Sequence, residues 1–266
     1  MVTAQIGDAF ARPVDALVRA FARFSPDVLT ITGLVLNGLA CAFFAFAGGK
    51  GWSSPHLLRV GAVVALAAAI FDMLDGRVAR LRGRETKFGA FLDSTMDRYS
   101  DMVLYMGLMI LYARLDKTPH MVLVWVAAFG SFMTSYARAR AESLIPRCTV
   151  GLLERPERIV LLIIGAGTNR MAAVLWVILV LSILAVANRI YYTYLALNGL
   201  PMPSREGIAG VFNRAFFWTD ERATLPYDLW VIAILAFVWL VPPAWLGDPM
   251  AHDPGLIAWV VERIRN

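Results

Sequence analysis

Four aspartates stand beside apolar segments at spacings that could bring their carboxylates together. Asp72 and Asp75 are three residues apart and directly follow the run "VGAVVALAAAIF", while Asp93 and Asp97 are four apart at the start of the next apolar stretch. Residues at these spacings share one face of a helix. The connection between the two pairs is rich in Gly and Arg, so we expect the chain to turn back and the four carboxylates to converge.

Carboxylates gathered beside lipid need compensating charge. An aspartate at mid-bilayer costs roughly 2.5 to 3.5 kcal/mol on insertion scales, and a bare cluster of like charges takes up protons. Divalent cations would let all four carboxylates stay ionised. Because every ligand is an oxygen and no His or Cys is near, the pattern favours Mg²⁺ or Mn²⁺ over zinc. Simple helix capping by Asp and Arg does not account for two such pairs flanked by glycines.

The residues around the aspartates indicate what the metal would face. Arg80 and its neighbouring arginines offer planar donors that suit phosphate oxygens. Gly76 and Gly89 allow a ligand to approach the backbone closely. Metal, arginine and glycine together predict a diphosphate substrate whose other end is apolar, since the site lies in the bilayer.

The composition places these residues in a polytopic membrane protein. The chain has 266 residues, of which 59% are hydrophobic and only 17% charged, far from a soluble domain. The net charge of +5 resides in short basic clusters between apolar runs, as in membrane-protein loops, so we expect no nucleic-acid partner. The fold class is therefore all-α, a transmembrane helical bundle. Spans are predicted at about 28–48, 56–75, 89–113, 120–140, 157–167 and 171–197.

Three regions follow from this pattern. Residues 1–24 carry apolar residues at helical spacing with arginines between them, which predicts an amphipathic helix lying in the interface. Residues 25–197 form the six-span core. Residues 198–266 form a C-terminal extension with a seventh span at 229–246, which "VPP" at 241–243 ends early.

The loops that follow the second and fourth predicted spans are rich in Lys and Arg, whereas the other loops are poor in them. The positive-inside rule places the rich loops in the cytoplasm. We therefore expect an integral protein of the cell (inner) membrane, with its N-terminus and its active site on the cytoplasmic side.

Written out, the motif is Asp72-x-x-Asp75-Gly76-x-x-Ala79-Arg80, eight further residues, then Gly89-x-x-x-Asp93-x-x-x-Asp97. It resembles the full signature of the CDP-alcohol phosphotransferases, and every fixed position is matched. The resemblance implies a CDP-alcohol phosphatidyltransferase acting in phospholipid synthesis. In that reaction an alcohol attacks the phosphorus of a CDP-linked lipid, CDP-diacylglycerol, and CMP leaves.

The resemblance also implies roles for individual residues. Two ions of Mg²⁺ or Mn²⁺ would be held by Asp72, Asp75, Asp93 and Asp97. Asp97 would in addition be the general base that a poorly nucleophilic hydroxyl requires. Residues predicted to bind the CDP-lipid are Asp27, Thr30, Gly76, Ala79, Arg80, Thr86 and Gly89.

The acceptor is predicted from two further segments. "SYARARAE" at 135–142 and "ERPER" at 154–158 resemble the phosphatidylinositol phosphate synthase branch, whose acceptor is inositol phosphate. Arg138, Arg155 and Arg189 match the positions that bind the acceptor phosphate there, although loop arginines are also explained by the positive-inside rule. Glycerol phosphate, inositol and serine stay open as acceptors. The resemblance alone implies that the protein forms a homodimer. Membrane lipids are expected to surround it.

Two other functions compete with this one. A divalent-cation transporter would need acidic residues along the whole depth of the membrane, whereas here they gather at one edge. A prenyltransferase also holds a diphosphate through magnesium, but its aspartate motifs lack the Gly-x-x-Ala-Arg insert.

Overall fold

The computed structural model describes residues 16–49, 54–83, 86–148, 150–151, 153–201, 210, 213 and 225–251. Every regular element among these residues is a helix, as the sequence predicts. The helices are α1 (Pro26–Ala47), α2 (Pro55–Leu81), α3 (Lys87–Arg114), α4 (Thr118–Glu142), α5 (Arg155–Thr168), α6 (Met171–Leu197) and α7 (Leu225–Leu240), followed by a 3₁₀ turn (Pro243–Leu246).

Four of these helices, α1, α2, α4 and α6, are long and apolar enough to cross a membrane. The other two core helices depart from that composition for different reasons. Helix α3 carries several charged residues in its first half, and α5 has only 14 residues. The protein is an integral membrane protein in which these two helices complete a bundle of six.

The turn between α2 and α3 is shorter than the sequence predicts. Helix α2 continues to Leu81 rather than ending at residue 75, so only residues 82–86 connect it to α3. The added turns contain Arg, Ala and Leu, which are good helix formers, and Val78 among them is fully buried. Arg77 and Arg80, which read as loop residues in the sequence, therefore lie in helix α2.

The six core helices form a closed ring. Helix α1 contacts α2 and α3, α2 contacts α5, α5 contacts α6, α6 contacts α4, and α4 contacts α3. Short connections reverse the chain at each step, so the N-terminal ends of α1, α3 and α5 meet the C-terminal ends of α2, α4 and α6. We call this the site end, and the opposite one the far end.

Two glycines let helices in this ring approach closely, as small residues commonly do in membranes. A Cβ at Gly107 of α3 would lie 2.7 Å from the carbonyl oxygen of Cys41 in α1. A Cβ at Gly130 of α4 would lie 2.9 Å from the Cβ of Ser182 in α6. These contacts fix α1 against α3 and α4 against α6.

The N-terminal segment is helical over residues 16–21, and residues 1–15 lie outside the described part. Val18 is buried with Leu74 and Val78 of α2, and the rings of Phe21 and Phe71 pack edge to face at 5.5 Å. The described part of the predicted amphipathic helix therefore packs on the site end of α2.

The C-terminal extension is fastened at the far end. Helix α7 has 16 residues and ends at Leu240, before the prolines. It is shorter than the four helices that could cross a membrane, so the seventh span at 229–246 stays a prediction. The buried guanidinium of Arg170 donates to the carbonyl oxygens of Val238 and Trp239 at 3.3 Å, and Asp248 accepts a 3.0 Å bond from the Ala172 amide at the start of α6. Burial raises the pKa of the Asp248 carboxyl. Residues 252–266 are outside the described range.

Candidate active site

Three of the predicted metal ligands meet where the site end of α2 faces α3. One carboxylate oxygen from each of Asp72, Asp75 and Asp93 lies within 4.8 Å of the other two. The i,i+3 pair on α2 and the first aspartate of α3 thus converge, as their spacing predicts. An all-oxygen set of three carboxylates suits Mg²⁺ or Mn²⁺, so the residues present fit the predicted ions.

Asp75 is the most buried of the three, with 4% of its surface exposed. Its Oδ2 accepts a 2.6 Å hydrogen bond from the hydroxyl of Thr30 on α1. A buried carboxylate needs such a donor, and a partner of this kind orients a metal ligand. Thr30, predicted to contact the CDP-lipid, is therefore placed against a candidate metal ligand. The side chain of Asp27 lies outside the described part.

Asp97 lies outside this group of three and is linked to it by an arginine. Nη1 of Arg155, the first residue of α5, is 2.6 Å from Oδ2 of Asp72 and 2.7 Å from Oδ1 of Asp97. Nε of the same guanidinium donates to Oδ1 of Asp101 at 3.0 Å. One cation therefore contacts three carboxylates.

Asp101 and Arg158 are site residues that the sequence reasoning did not assign. They are 5% and 2% exposed, and Nη2 of Arg158 is 3.4 Å from Oδ2 of Asp101. Arg158 also donates to the Thr134 hydroxyl at 3.0 Å and the Leu153 carbonyl at 2.9 Å. The available signal was spacing, because Asp101 extends the i,i+4 series of α3 and Arg158 lies three residues after Arg155.

A polar cavity of about 430 Å³ opens beside Asp97. It is enclosed by α3, α4, α5, α6 and residue 154. The three arginines predicted to bind the acceptor all line it, although they are far apart in the sequence. Its lining includes Asp97, Arg98, Asp101, Ser135, Arg138, Glu142, Glu154, Arg155, Arg158 and Arg189.

Arg138 and Arg189 are held differently within this cavity. Arg138 is paired with Glu142 at 3.1 Å and with Glu154 at 2.6 Å, and it is partly exposed. Arg189 is 3% exposed, donates from Nε to the Val150 carbonyl at 3.1 Å, and donates from Nη1 to the carbonyl of Thr134. Arg189 therefore also fastens the loop after α4 onto α6.

Two residues of that loop, Gly151 and the buried Cys148, lie near Arg189. Gly151 has a φ of +99°, and a Cβ there would lie 3.3 Å from Nε of Arg189, so the position favours glycine. Burial raises the pKa of the Cys148 thiol. A neutral thiol therefore adds no negative charge beside the arginine.

Gly76, Ala79 and Arg80, which are also predicted to bind the CDP-lipid, follow Asp75 in the last turns of α2. A Cβ at Gly76 would face open space, with Nη2 of Arg80 nearest at 3.9 Å. Arg80 is exposed and, with Val18, Arg77 and Leu81, lines an open depression on the surface. Ala79 is half-buried between these arginines.

Thr86 and Gly89 form the N-terminal cap of α3. The Thr86 hydroxyl accepts a 2.9 Å bond from the Gly89 amide and so caps the helix. A Cβ at Gly89 would lie 3.0 Å from that hydroxyl oxygen, so the glycine leaves room for the cap.

The carboxylates of Asp72, Asp75, Asp93 and Asp97 lie together toward the site end, whereas the described acidic residues of the far end, Asp116 and Asp248, lie in connections outside the six core helices. A transport pathway would distribute such groups through the depth of the membrane. The arrangement therefore favours a binding site at one edge over a transporter.

Comparison with known proteins agrees with this geometry. Residues 23–200 match the family described as CDP-alcohol phosphatidyltransferase. The chain is 38% identical over 172 residues to the phosphatidylinositol phosphate synthase of Mycobacterium tuberculosis, covering 63% of this chain and 75% of that protein. It is 40% identical over 140 residues to the archaetidylinositol phosphate synthase of Methanothermobacter thermautotrophicus, covering 53% and 65%.

Solved structures are similar over the same region. The Mycobacterium tuberculosis phosphatidylinositol phosphate synthase with CDP-DAG bound has a TM-score of 0.62 and 29% identity, covering 74% of this chain and all of that one. The same enzyme in complex with manganese and citrate has a TM-score of 0.61, covering 73% and 96%. From its aspartate signature, its helical bundle and these matches, the chain belongs to the CDP-alcohol phosphatidyltransferase family and is a membrane-embedded transferase.

Proposed function

We propose that this enzyme transfers the phosphatidyl group of CDP-diacylglycerol to inositol phosphate and releases CMP. The observation that carries the proposal is the 430 Å³ cavity whose lining includes Asp97 and the three arginines Arg138, Arg155 and Arg189. Arginine forks suit an acceptor that bears a phosphate, and inositol and serine carry no phosphate for them to bind. The relatives named for phosphatidylinositol phosphate and archaetidylinositol phosphate synthesis support the same acceptor.

The metal site is proposed at the aspartate group. Asp72, Asp75 and Asp93 would hold Mg²⁺ or Mn²⁺ together with the nearby Asp97, and the manganese complex of the similar structure supports this choice. Bound there, two divalent ions would neutralise the diphosphate and stabilise both the attacking and the leaving oxygen. Thr30 keeps the buried Asp75 oriented toward that position.

The protein side chains carry the remaining steps. Arg138 and Arg155 bind the acceptor phosphate and orient a ring hydroxyl toward Asp97. The Asp97 carboxylate accepts the hydroxyl proton as the oxygen attacks the phosphatidyl phosphorus. The bond from that phosphorus to the CMP oxygen breaks, and CMP leaves with the electron pair. Gly76, Ala79 and Arg80 are proposed to receive the nucleotide diphosphate.

The orientation in the membrane is proposed from charge. The site end carries the arginines that end α2 and α4 and those that begin α5, so it faces the cytoplasm of the cell membrane under the positive-inside rule. CDP-diacylglycerol would then enter from the cytoplasmic leaflet. Homodimerisation stays a prediction from the resemblance.

One experiment tests the acceptor directly. The purified protein is incubated with labelled CDP-diacylglycerol and Mg²⁺, and inositol phosphate, glycerol phosphate, inositol and serine are added separately. We expect CMP and a new anionic lipid with inositol phosphate, and far less product with the other three. A preference for glycerol phosphate would contradict the proposed acceptor but not the proposed reaction. If none of the four compounds gave CMP, both the acceptor and the reaction would be contradicted.

A further inference from the structure

The guanidinium of Arg155 lies between two sites that the proposed reaction treats as separate. On one side, its Nη1 contacts Asp72, a proposed metal ligand, and Asp97, the proposed base, at 2.6 and 2.7 Å. On the other side, Arg155 lines the acceptor cavity. The same cation thus contacts the metal carboxylates and faces the space for the acceptor phosphate.

Electrostatics explains why a cation belongs at this place. Asp72, Asp75, Asp93, Asp97 and Asp101 bring five carboxylates to one edge of the bundle, at a boundary where water screens them poorly. An arginine stays charged under these conditions, and its fork can contact more than one carboxylate at once. When no divalent ion is bound, Arg155 supplies the positive charge that the aspartates need.

The same contact opposes the binding of divalent ions. A cation 2.6 Å from Oδ2 of Asp72 repels an incoming divalent ion and offsets part of the negative charge that attracts it. When the ions bind, the attraction between Asp72 and Arg155 is replaced by a stronger one. The guanidinium then has a second anionic position available, the acceptor phosphate in the adjoining cavity.

Asp101 limits how Arg155 can move. Its Oδ1 accepts from Nε of Arg155 at 3.0 Å, while its Oδ2 is 3.4 Å from Nη2 of Arg158. Both Asp101 and Arg158 are buried, so this anchor is fixed. Because the guanidinium is a rigid planar group, its Nη groups reach the cavity only when the whole group rotates and Nε leaves Asp101. Asp101 therefore favours the orientation that faces the aspartates.

We propose that Arg155 is an exchangeable counter-cation: it neutralises Asp72 and Asp97 in the metal-free enzyme, and it turns to the acceptor phosphate when divalent ions bind. Asp101 is the positioning residue that holds its Nε while the guanidinium faces the aspartates. The inference rests on the proposed function for the identity of the acceptor, but not for the competition between arginine and metal. Because coupling between ligands is reciprocal, metal and acceptor each increase the affinity of the other.

The first test measures Mn²⁺ binding by electron paramagnetic resonance, without lipid or acceptor. Arg155→Gln should bind Mn²⁺ at least about tenfold more tightly than the wild type, because the competing charge is gone. Arg138→Gln is the matched control, since Arg138 lines the same cavity but pairs with Glu142 and Glu154, and its Mn²⁺ affinity should not change. Equal or weaker Mn²⁺ binding by the Arg155 variant would overturn the proposal.

The second test measures the coupling itself. Saturating inositol phosphate should tighten Mn²⁺ binding to the wild type several-fold, and Arg155→Gln should abolish this effect. Asp101→Ala should reduce the coupling, and Asp101→Asn, which keeps an acceptor for Nε, should restore it. A purely structural role for Asp101 would lower the thermal stability of both variants without changing the coupling, and that result would remove it as a positioning residue.

The two tests separate this inference from the proposed function. Tighter Mn²⁺ binding by Arg155→Gln, without coupling to inositol phosphate, would retain the counter-cation and refute the acceptor. Coupling in the wild type that survives in Arg155→Gln would support the acceptor and refute the exchange. Normal folding of each variant is checked by size-exclusion chromatography, and Arg155→Met provides a second uncharged variant if the glutamine variant does not fold.

Discussion

Replacement of Asp97 by Asn should abolish transfer while leaving the substrates able to bind. Asn has nearly the same shape as Asp, and its carbonyl oxygen can still accept from Nη1 of Arg155. The guanidinium also keeps its contacts with Asp72 at 2.6 Å and Asp101 at 3.0 Å. The substitution therefore removes one negative charge and the proton acceptor, with little change in packing.

The size of the effect follows from the role. A positioned general base contributes about 10²- to 10⁴-fold to the rate, which corresponds to about 2.7 to 5.4 kcal/mol of activation free energy. Asp97 lies outside the group of three carboxylates that meet within 4.8 Å, so at least three candidate metal ligands survive the change. We expect kcat to fall by at least about a hundredfold, while the affinity for CDP-diacylglycerol falls much less.

The assay follows CMP release at saturating substrates, and equilibrium binding of labelled CDP-diacylglycerol in the presence of Mg²⁺ is measured in parallel. Asp93→Asn is the matched control, because Asp93 belongs to the group of three and its loss should weaken Mn²⁺ and CDP-lipid binding together. Turnover by Asp97→Asn within a fewfold of the wild type would refute the assignment of the base.

Three further predictions concern other parts of the molecule. Thr30→Val should weaken Mn²⁺ binding about 10- to 100-fold, because it removes a partner that orients a proposed metal ligand. The hydroxyl of Thr32 donates only to the Val28 carbonyl in an exposed position, so Thr32→Val should leave Mn²⁺ binding unchanged, and equal Mn²⁺ affinities of the two variants would contradict this prediction. Gly107→Ala should lower the melting temperature despite the high helix propensity of Ala, because the added Cβ would lie 2.7 Å from the Cys41 carbonyl oxygen. A Cβ at Gly38 would have no atom within 4 Å, so Gly38→Ala should not lower the melting temperature. Arg138→Gln should raise the KM for inositol phosphate about tenfold or more and change the KM for CDP-diacylglycerol little, so similar changes in both values would remove Arg138 from the acceptor cavity.

The convergence of the aspartates could be predicted from the sequence because helical spacing determines it locally. Asp72 and Asp75 share a face whatever surrounds them, and the short turn after α2 brings Asp93 opposite. The bridge by Arg155 could not be predicted in this way. It depends on the position of the start of α5, which is 83 residues beyond Asp72 in the chain, and on contacts between α5 and α2 that leave no periodic pattern.

The fold shows the same division between local and tertiary causes. Composition alone indicates the apolar helices, and prolines in their first turns mark several of their starts. The order of helices around the ring depends on tertiary contacts, which composition does not reveal. Some of these contacts, such as the close approach of Gly107 to Cys41, involve single residues. The end of α2 was predicted too early because its arginines read as a loop, whereas packing of Val78 beneath the N-terminal segment extends the helix.

The attachment of α7 has a practical consequence for anyone who shortens this protein. Arg170 and the first turn of α6 find their polar partners in residues 238–250. Deletion of that stretch would remove these hydrogen-bond partners from a buried guanidinium and a buried backbone amide, although both lie far from the aspartates. Trimmed versions for crystallography or electron microscopy should therefore retain the chain through Met250, even though the family match ends at residue 200.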